Sequence, residues 1–206
     1  MADSPLAIDS LHLRLAAANG LIRRRRSIKP EQMSDEAVDP MILGNILENA
    51  NWAPTHGMTQ PWRFKVYEED GREPLADGLQ RIYRETTPKA AFRQDKHDGI
   101  RTKIFAAPVV IVICMARQES GVIPELEEVE AVACAVQNMH LTASAVGMAA
   151  YWSSPVFVYT DEMKVFLRLN PGDRCLGLFY LGWPKEKENW PKGTRSPIQE
   201  RLEWFE

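Results

Sequence analysis

From residue 125 to residue 147 the chain reads as one long helix that is apolar on nearly every side, and this segment limits the fold more than any other. Val129, Val132, Val136, Met139, Ala143 and Val146 form one stripe at helical spacing, while Ala131, Cys134, Ala135, Leu141 and Ala145 make the other faces apolar too. Such a helix is stable only where it is surrounded. In a chain of 206 residues, which fits a single domain, this predicts a central helix shared with a second subunit. Its start is acidic, and Glu125, Glu127, Glu128 and Glu130 read as complements of the helix dipole rather than as an acid–base pair. Gly147 supplies the left-handed residue that ends it.

The elements around this helix interleave. Residues 7–22 place Ile8, Leu11, Leu15 and Ala18 on one stripe, with Leu21 and Ile22 beyond it. Asp39-Pro40 opens a second helix, striped by Ile42, Leu43, Ile46, Leu47 and Ala50 and running into Ala53-Pro54. Trp62 to Tyr67 alternates Trp62, Phe64 and Val66 with Arg63 and Lys65, the pattern of a half-buried strand. Two helices are expected in 72–105 around Thr86-Thr87-Pro88. The run 109–115 is β-branched and apolar throughout, as a strand buried on both faces must be. Short strands are expected at 149–152 and 175–183, with a helix capped by Thr160 or Asp161 between them. The interleaving indicates an α+β or three-layer domain. The tail 185–206 is charged and proline-rich, and cannot build a core alone.

Bulk properties exclude several functions. A net charge of −3 argues against a general nucleic-acid binder. Cys114, Cys134 and Cys175 are odd in number and lack a CxxC unit, so they read as buried thiols in a reducing compartment rather than as disulfides or a zinc site. The first residues have no signal-peptide pattern, and the most apolar run, 106–116, is too short to span a bilayer; a cytoplasmic protein without a membrane partner is expected. Dinucleotide-fold, P-loop and serine-elbow motifs are absent, and His12, His56, His97 and His140 lack metal-ligand spacing.

Four segments carry polar chemistry. Arg23 to Lys29 places four arginines, a serine and a lysine after a helix; guanidinium forks and a hydroxyl suit a phosphate, but a solvated basic helix end explains the run equally simply. Residues 52–62 hold Thr55, His56 and Gln60 between Pro54 and Pro61, either a rigid polar loop for a planar ring or an ordinary turn. Trp152, Ser153 and Ser154 end a strand, and Arg195 stands among hydroxyls in the tail.

Taken in order, these segments resemble the nitroreductase family of flavoproteins, in its short single-domain form. The resemblance is carried by Arg25-Arg26-Ser27-Ile28-Lys29, Ala53-Pro54-Thr55 with Gln60-Pro61-Trp62, Gln137-Asn138-Met139, Gly147 with Trp152, Leu181-Gly182-Trp183-Pro184 and Arg195-Ser196-Pro197. It implies an α+β fold, a three-layer arrangement with a central, mainly antiparallel sheet flanked by helices, in an intertwined homodimer with FMN at the interface. Residues 1–206 would form one domain, with 1–6 loose and 185–206 extending over the partner. By the same resemblance Arg25, Arg26, Ser27, Lys29 and Arg195 would meet the cofactor's phosphate, ribityl chain and pyrimidine edge. Trp52, Thr55, His56 and Gln60 would meet the ring from the same or the other subunit, and Trp152, Ser153 and Ser154 would lie along it. NADH or NADPH would be the donor and a small molecule such as a nitroaromatic or quinone the acceptor. No catalytic acid, base or metal is assigned. Reductive dehalogenation, flavin fragmentation and a non-enzymatic flavin-binding module are the alternatives on the same fold. One departure stands out: Met58 occupies the place of an asparagine that would donate to the ring, and His56 is the residue expected to compensate. Phe92, Arg93 and Phe105 are expected to shape access in a wall formed by 72–105.

Overall fold

The structure, a computed structural model, describes residues 11–205. Ile8 and the loose terminus expected at 1–6 lie outside the described residues.

Four strands, β1 (Trp62–Glu68), β2 (Val109–Met115), β3 (Ala149–Ser153) and β4 (Arg174–Gly182), form an antiparallel sheet in the order β1-β2-β4-β3. The alternation of β2 shows why it had to be apolar throughout. Val109, Ile111, Ile113 and Met115 enter one core, with Phe179 and Leu181 of β4. Val110, Val112 and Cys114 enter the other, with Leu178 and Tyr180. The first core is roofed by α2 (Pro40–Ala50) and α5 (Glu125–Ala145), through Leu43, Ile46 and Ala50 and through Val132, Ala135, Val136, Met139 and Ala143. The second is roofed by α3 (Arg72–Thr86), α4 (Gln94–Phe105) and α6 (Asp161–Leu167), through Leu75, Leu79, Ile82, Ile104, Met163 and Leu167. The result is the expected three-layer α+β domain.

Local chemistry sets the helix ends. Asp39 accepts from Met41 N at 2.7 Å and Pro40 occupies the first turn, so α2 starts where the sequence places it. Its α-helical part stops at Ala50, and the chain tightens into i−3 bonds (Asn51 N to Glu48 O, Trp52 N to Asn49 O, Ala53 N to Ala50 O) up to Pro54, which has no N–H to continue them. Thr160 rather than Asp161 caps α6. At the end of α5, Gly147 has φ +80°, while Met148 N reaches Ala143 O at 2.8 Å and Gly147 N reaches Ser144 O at 3.2 Å. That pair of bonds is a Schellman closure.

Three expectations are corrected. Cys134, expected to be buried, is exposed while Cys114 and Cys175 are buried, because Leu126, Glu130, Cys134 and Gln137 form a stripe of α5 left open within the chain. Val66 is exposed and Tyr67 packs instead, because β1 is an edge strand whose outer end lies beyond the α2–α5 roof. Helix α1 (Leu11–Arg24) buries none of its residues, and Leu11, Leu13, Leu15 and Ile22 face solvent. Phe92 packs near Tyr83 against the second core, and the guanidiniums of Arg72 and Arg101 both lie over the Phe105 ring. Arg93 pairs with Asp95.

Candidate functional site

The arginine run leaves α1 and joins the sheet. Ser27 bridges Ala150 of β3 in parallel, and Ile28 N donates to Ala150 O at 3.0 Å, which fixes the register of the run. His140 of α5 reaches the same place, its Nε2–H donating to Arg26 O at 2.9 Å. The imidazole is buried, edge-on to Phe179, and its pKa is lowered to about 4, first by burial and then by the nearby charge of Arg25. A neutral ring is therefore the donor that fixes the backbone beneath two arginines.

The tail returns to this corner. Lys185 N donates to Gln32 O at 2.9 Å, Trp190 Nε1 donates to Arg24 O at 2.7 Å, and the guanidinium of Arg24 lies over the Trp190 ring. Gly193 packs so tightly on Arg26 that a Cβ would stand 2.4 Å from its Cζ. The first part of the 185–206 extension thus covers its own chain, and only the stretch beyond it stays open, ending in the exposed Trp204 and Phe205.

Arg25, Arg26 and Arg195 gather here without a counter-charge. Burial, Arg195 and Arg26, in that order, push the pKa of Arg25 down. Among the described residues neither these three arginines nor Lys29 has a carboxylate within ion-pair distance. Arg26 donates to the carbonyls of Arg23 and Arg25 at 2.7 and 2.6 Å, yet its buried Nε has no partner. Like charges crowded together with an orphaned donor are unfavourable alone and become favourable around an anion.

Trp152, Ser153 and Ser154 lie further along β3. The indole N–H of Trp152 and the hydroxyl of Ser154 both donate to Leu176 O, at 3.1 and 3.0 Å. Leu176 is the extra residue of a β-bulge where Ile113 faces Gly177 and Cys114 faces Cys175. Gly177 has φ +134°, and a Cβ there would stand 2.6 Å from Ser153 O and 2.8 Å from Ser154 Oγ. Gly177→Ala is expected to cost about 2 kcal/mol from backbone strain alone. It should also displace Trp152, which an intrinsic-fluorescence spectrum of the folded variant would register as a shifted emission maximum.

The second group stands elsewhere. Trp52 is exposed; Thr55 Oγ1 lies 3.0 Å from Thr59 Oγ1 and accepts from Gln60 N at 3.2 Å; His56 Nδ1 lies 2.6 Å from Glu127 Oε2. His56 therefore meets α5 at residue 127, whereas Arg26 meets it at residue 140. At the helical rise those points are about 20 Å apart. One chain does not bring the two groups together.

A family model described as "Nitroreductase family" matches residues 22–183. The chain belongs to the nitroreductase family. The Escherichia coli K12 protein "Putative NAD(P)H nitroreductase YdjA" is 31% identical over 168 residues, spanning 81% of this chain and 87% of that one. Among solved structures, a nitroreductase-like family protein from Bacillus cereus has a TM-score of 0.77 at 28% identity, covering 91% of this chain and 95% of its own. A "putative nitroreductase in complex with fmn" from Desulfovibrio desulfuricans has a TM-score of 0.66 at 28% identity, covering 90% and 96%. Within this nitroreductase domain, sequence reasoning missed His140, Trp190 and Glu127 as supports of the polar groups. Only His140 left a signal, a polar residue four positions beyond Val136 on the buried stripe.

Proposed function

We infer that this nitroreductase-family protein is an FMN-dependent oxidoreductase that takes reducing equivalents from NADH or NADPH and passes them to an oxidised small molecule such as a nitroaromatic or quinone, in two half-reactions. The observation that carries the reading is the uncompensated cluster of Arg25, Arg26 and Arg195 beside Ser27 and Lys29. A phosphate monoester would take the orphaned donor and relieve the mutual repulsion of the cations. FMN, when bound, supplies the hydride chemistry. The chain's own part is to bind and orient: the arginines and Ser27 hold the phosphate, and Lys29 favours negative charge on the ring edge. Trp152 and Ser153 line the ring.

The assembly that completes the site is a homodimer. Its support is the open apolar surface of α1, the open stripe of α5 and the distance between the arginine corner and the 52–60 loop, which a second copy would close. Residues beyond 193 then extend over the partner. Among the described residues no helix is long and apolar enough to cross a membrane.

Purified protein is expected to be yellow or to take up added FMN, and to bleach with NADH or NADPH under anaerobic conditions. Bound FMN that neither nicotinamide bleaches would favour a non-enzymatic flavin module. Arg26→Ala should weaken FMN binding by about tenfold to a hundredfold, the worth of a charge-assisted bond. Unchanged retention in a flavin-fluorescence titration would remove the arginine corner from the cofactor site.

A further inference from the structure

The loop between α2 and β1 concentrates backbone strain. Met58 and Gln60 have φ of +53° and +44° although neither is glycine. The Thr55–Thr59 and Gln60–Thr55 hydrogen bonds fix the loop on itself, and Ile123 packs under it, with a Cβ on Gly57 falling 3.5 Å from Ile123 Cδ1. His56 is thus presented on a stiff support.

Its ring is also fixed. Nδ1 lies 2.6 Å from Glu127 Oε2, and an ionised carboxylate only accepts, so the proton of that bond sits on Nδ1. With the proton of that bond on Nδ1, the uncharged form of the ring has its lone pair on Nε2, which has no partner among the described residues. This is the opposite of the tautomer that histidine prefers in water. Glu127 is anchored in turn: its N–H donates to Pro124 O at 3.1 Å, and the adjacent Glu128 is buried against Arg117.

We propose that Glu127 is a positioning residue that holds His56 with Nε2 as a hydrogen-bond acceptor, to take a ring N–H of the bound cofactor. The proposal rests on the FMN reading above. It also changes the expected role of His56. Where Met58 removes an asparagine donor, His56 held by Glu127 in this tautomer does not restore a donor; it offers the Nε2 lone pair, which matches the N–H of the isoalloxazine pyrimidine rather than its carbonyls. The polarity of this contact is set by a residue on α5, outside the loop itself.

Two-bond proton–nitrogen correlation spectra of the ¹⁵N-labelled full chain at pH 8, without added cofactor, read the tautomer directly. Wild type should show a protonated Nδ1 and a bare Nε2 for His56. Glu127→Ala should revert to protonated Nε2, and Glu127→Gln, whose amide oxygen still accepts, should keep the wild-type pattern. FMN titrations by fluorescence quenching complete the test. Glu127→Ala and His56→Ala should each weaken binding about tenfold, one hydrogen bond's worth, with the double variant no weaker than either. A wild-type His56 with protonated Nε2 overturns the proposal, and so does a Glu127→Gln variant that behaves like Glu127→Ala. If wild type binds FMN and both alanine variants bind it equally well, this inference falls and the FMN reading stands. If wild type binds no FMN, the FMN reading falls and takes the acceptor role with it.

Discussion

Arg117→Ala is expected to lower the stability of the folded chain by about 3–5 kcal/mol, the cost of leaving a buried carboxylate without its partner. The Glu128 side chain is 0% exposed, and its charge is met by the Arg117 guanidinium and by Gln118 N, which donates to Oε1 at 3.2 Å. Arg117 is held from behind as well: its backbone N–H donates at 2.9 Å to the buried Asp173, which also accepts from Asn170 N. Removing the guanidinium therefore strands Glu128 inside the first turn of α5, with Gln118 N as its remaining donor. Glu128→Gln should cost less, because the amide oxygen still accepts from Gln118 and the partly exposed Arg117 can turn to solvent. Replacing both residues with apolar ones of similar volume should come closer to neutral than either deletion. Urea denaturation of the single and double variants yields the coupling. A loss below about 1 kcal/mol for Arg117→Ala would show that the pair does not anchor α5.

The same network explains what could and could not be seen in the sequence. The start of α2 was legible because Asp39-Pro40 is local chemistry, and β2 was legible because a strand with two buried faces has no room for polar residues. The end of α5 was written in Gly147. That α5 needs more cover than one chain gives was legible, but which side stays open was not: composition says that Cys134 and Leu126 are apolar, whereas a roof helix meets only one sheet face, and its open side depends on where α2 lies. The bulge at Leu176 left only Gly177 as a trace, and a glycine in a strand has several explanations. Of the site, the residue types around the arginines were readable, whereas their supports were not. His56 and Glu127 are 71 positions apart, and Arg26 and His140 are 114 apart. Pairings at that separation are decided by the packing of α5 on the sheet, which no local pattern encodes. The tail shows the opposite limit: its composition says only that it cannot fold alone, and nothing local says that Trp190 finds a carbonyl and a cation within its own chain.

His140 links this packing to pH. In the folded chain its pKa is about 4, against an ordinary value of 6.5, because burial and Arg25 both oppose the charged ring. Between those values the unfolded chain binds a proton that the folded chain does not, so stability falls as pH drops through this window and is unaffected by this residue above about pH 7. The expected loss is about 2 kcal/mol at pH 5, approaching about 3 kcal/mol below pH 4. Carboxylates titrate over the lower part of the same range, so the test is a difference: the stability of wild type and of His140→Gln, each measured by urea denaturation from pH 7.5 to 4.5. Glutamine does not titrate and its amide N–H can still donate to Arg26 O, so the variant should lose less on acidification, by about 2 kcal/mol. Parallel pH profiles would mean that His140 accepts its proton without cost. The consequence reaches the candidate site, because the donor under strain is the one that fixes the Arg26 carbonyl. Once protonated, His140 adds a cation to a corner that already crowds Arg25, Arg26 and Arg195, and a bound anion becomes the group that offsets it. Saturating phosphate or FMN should therefore reduce the acid sensitivity of wild type more than that of His140→Gln.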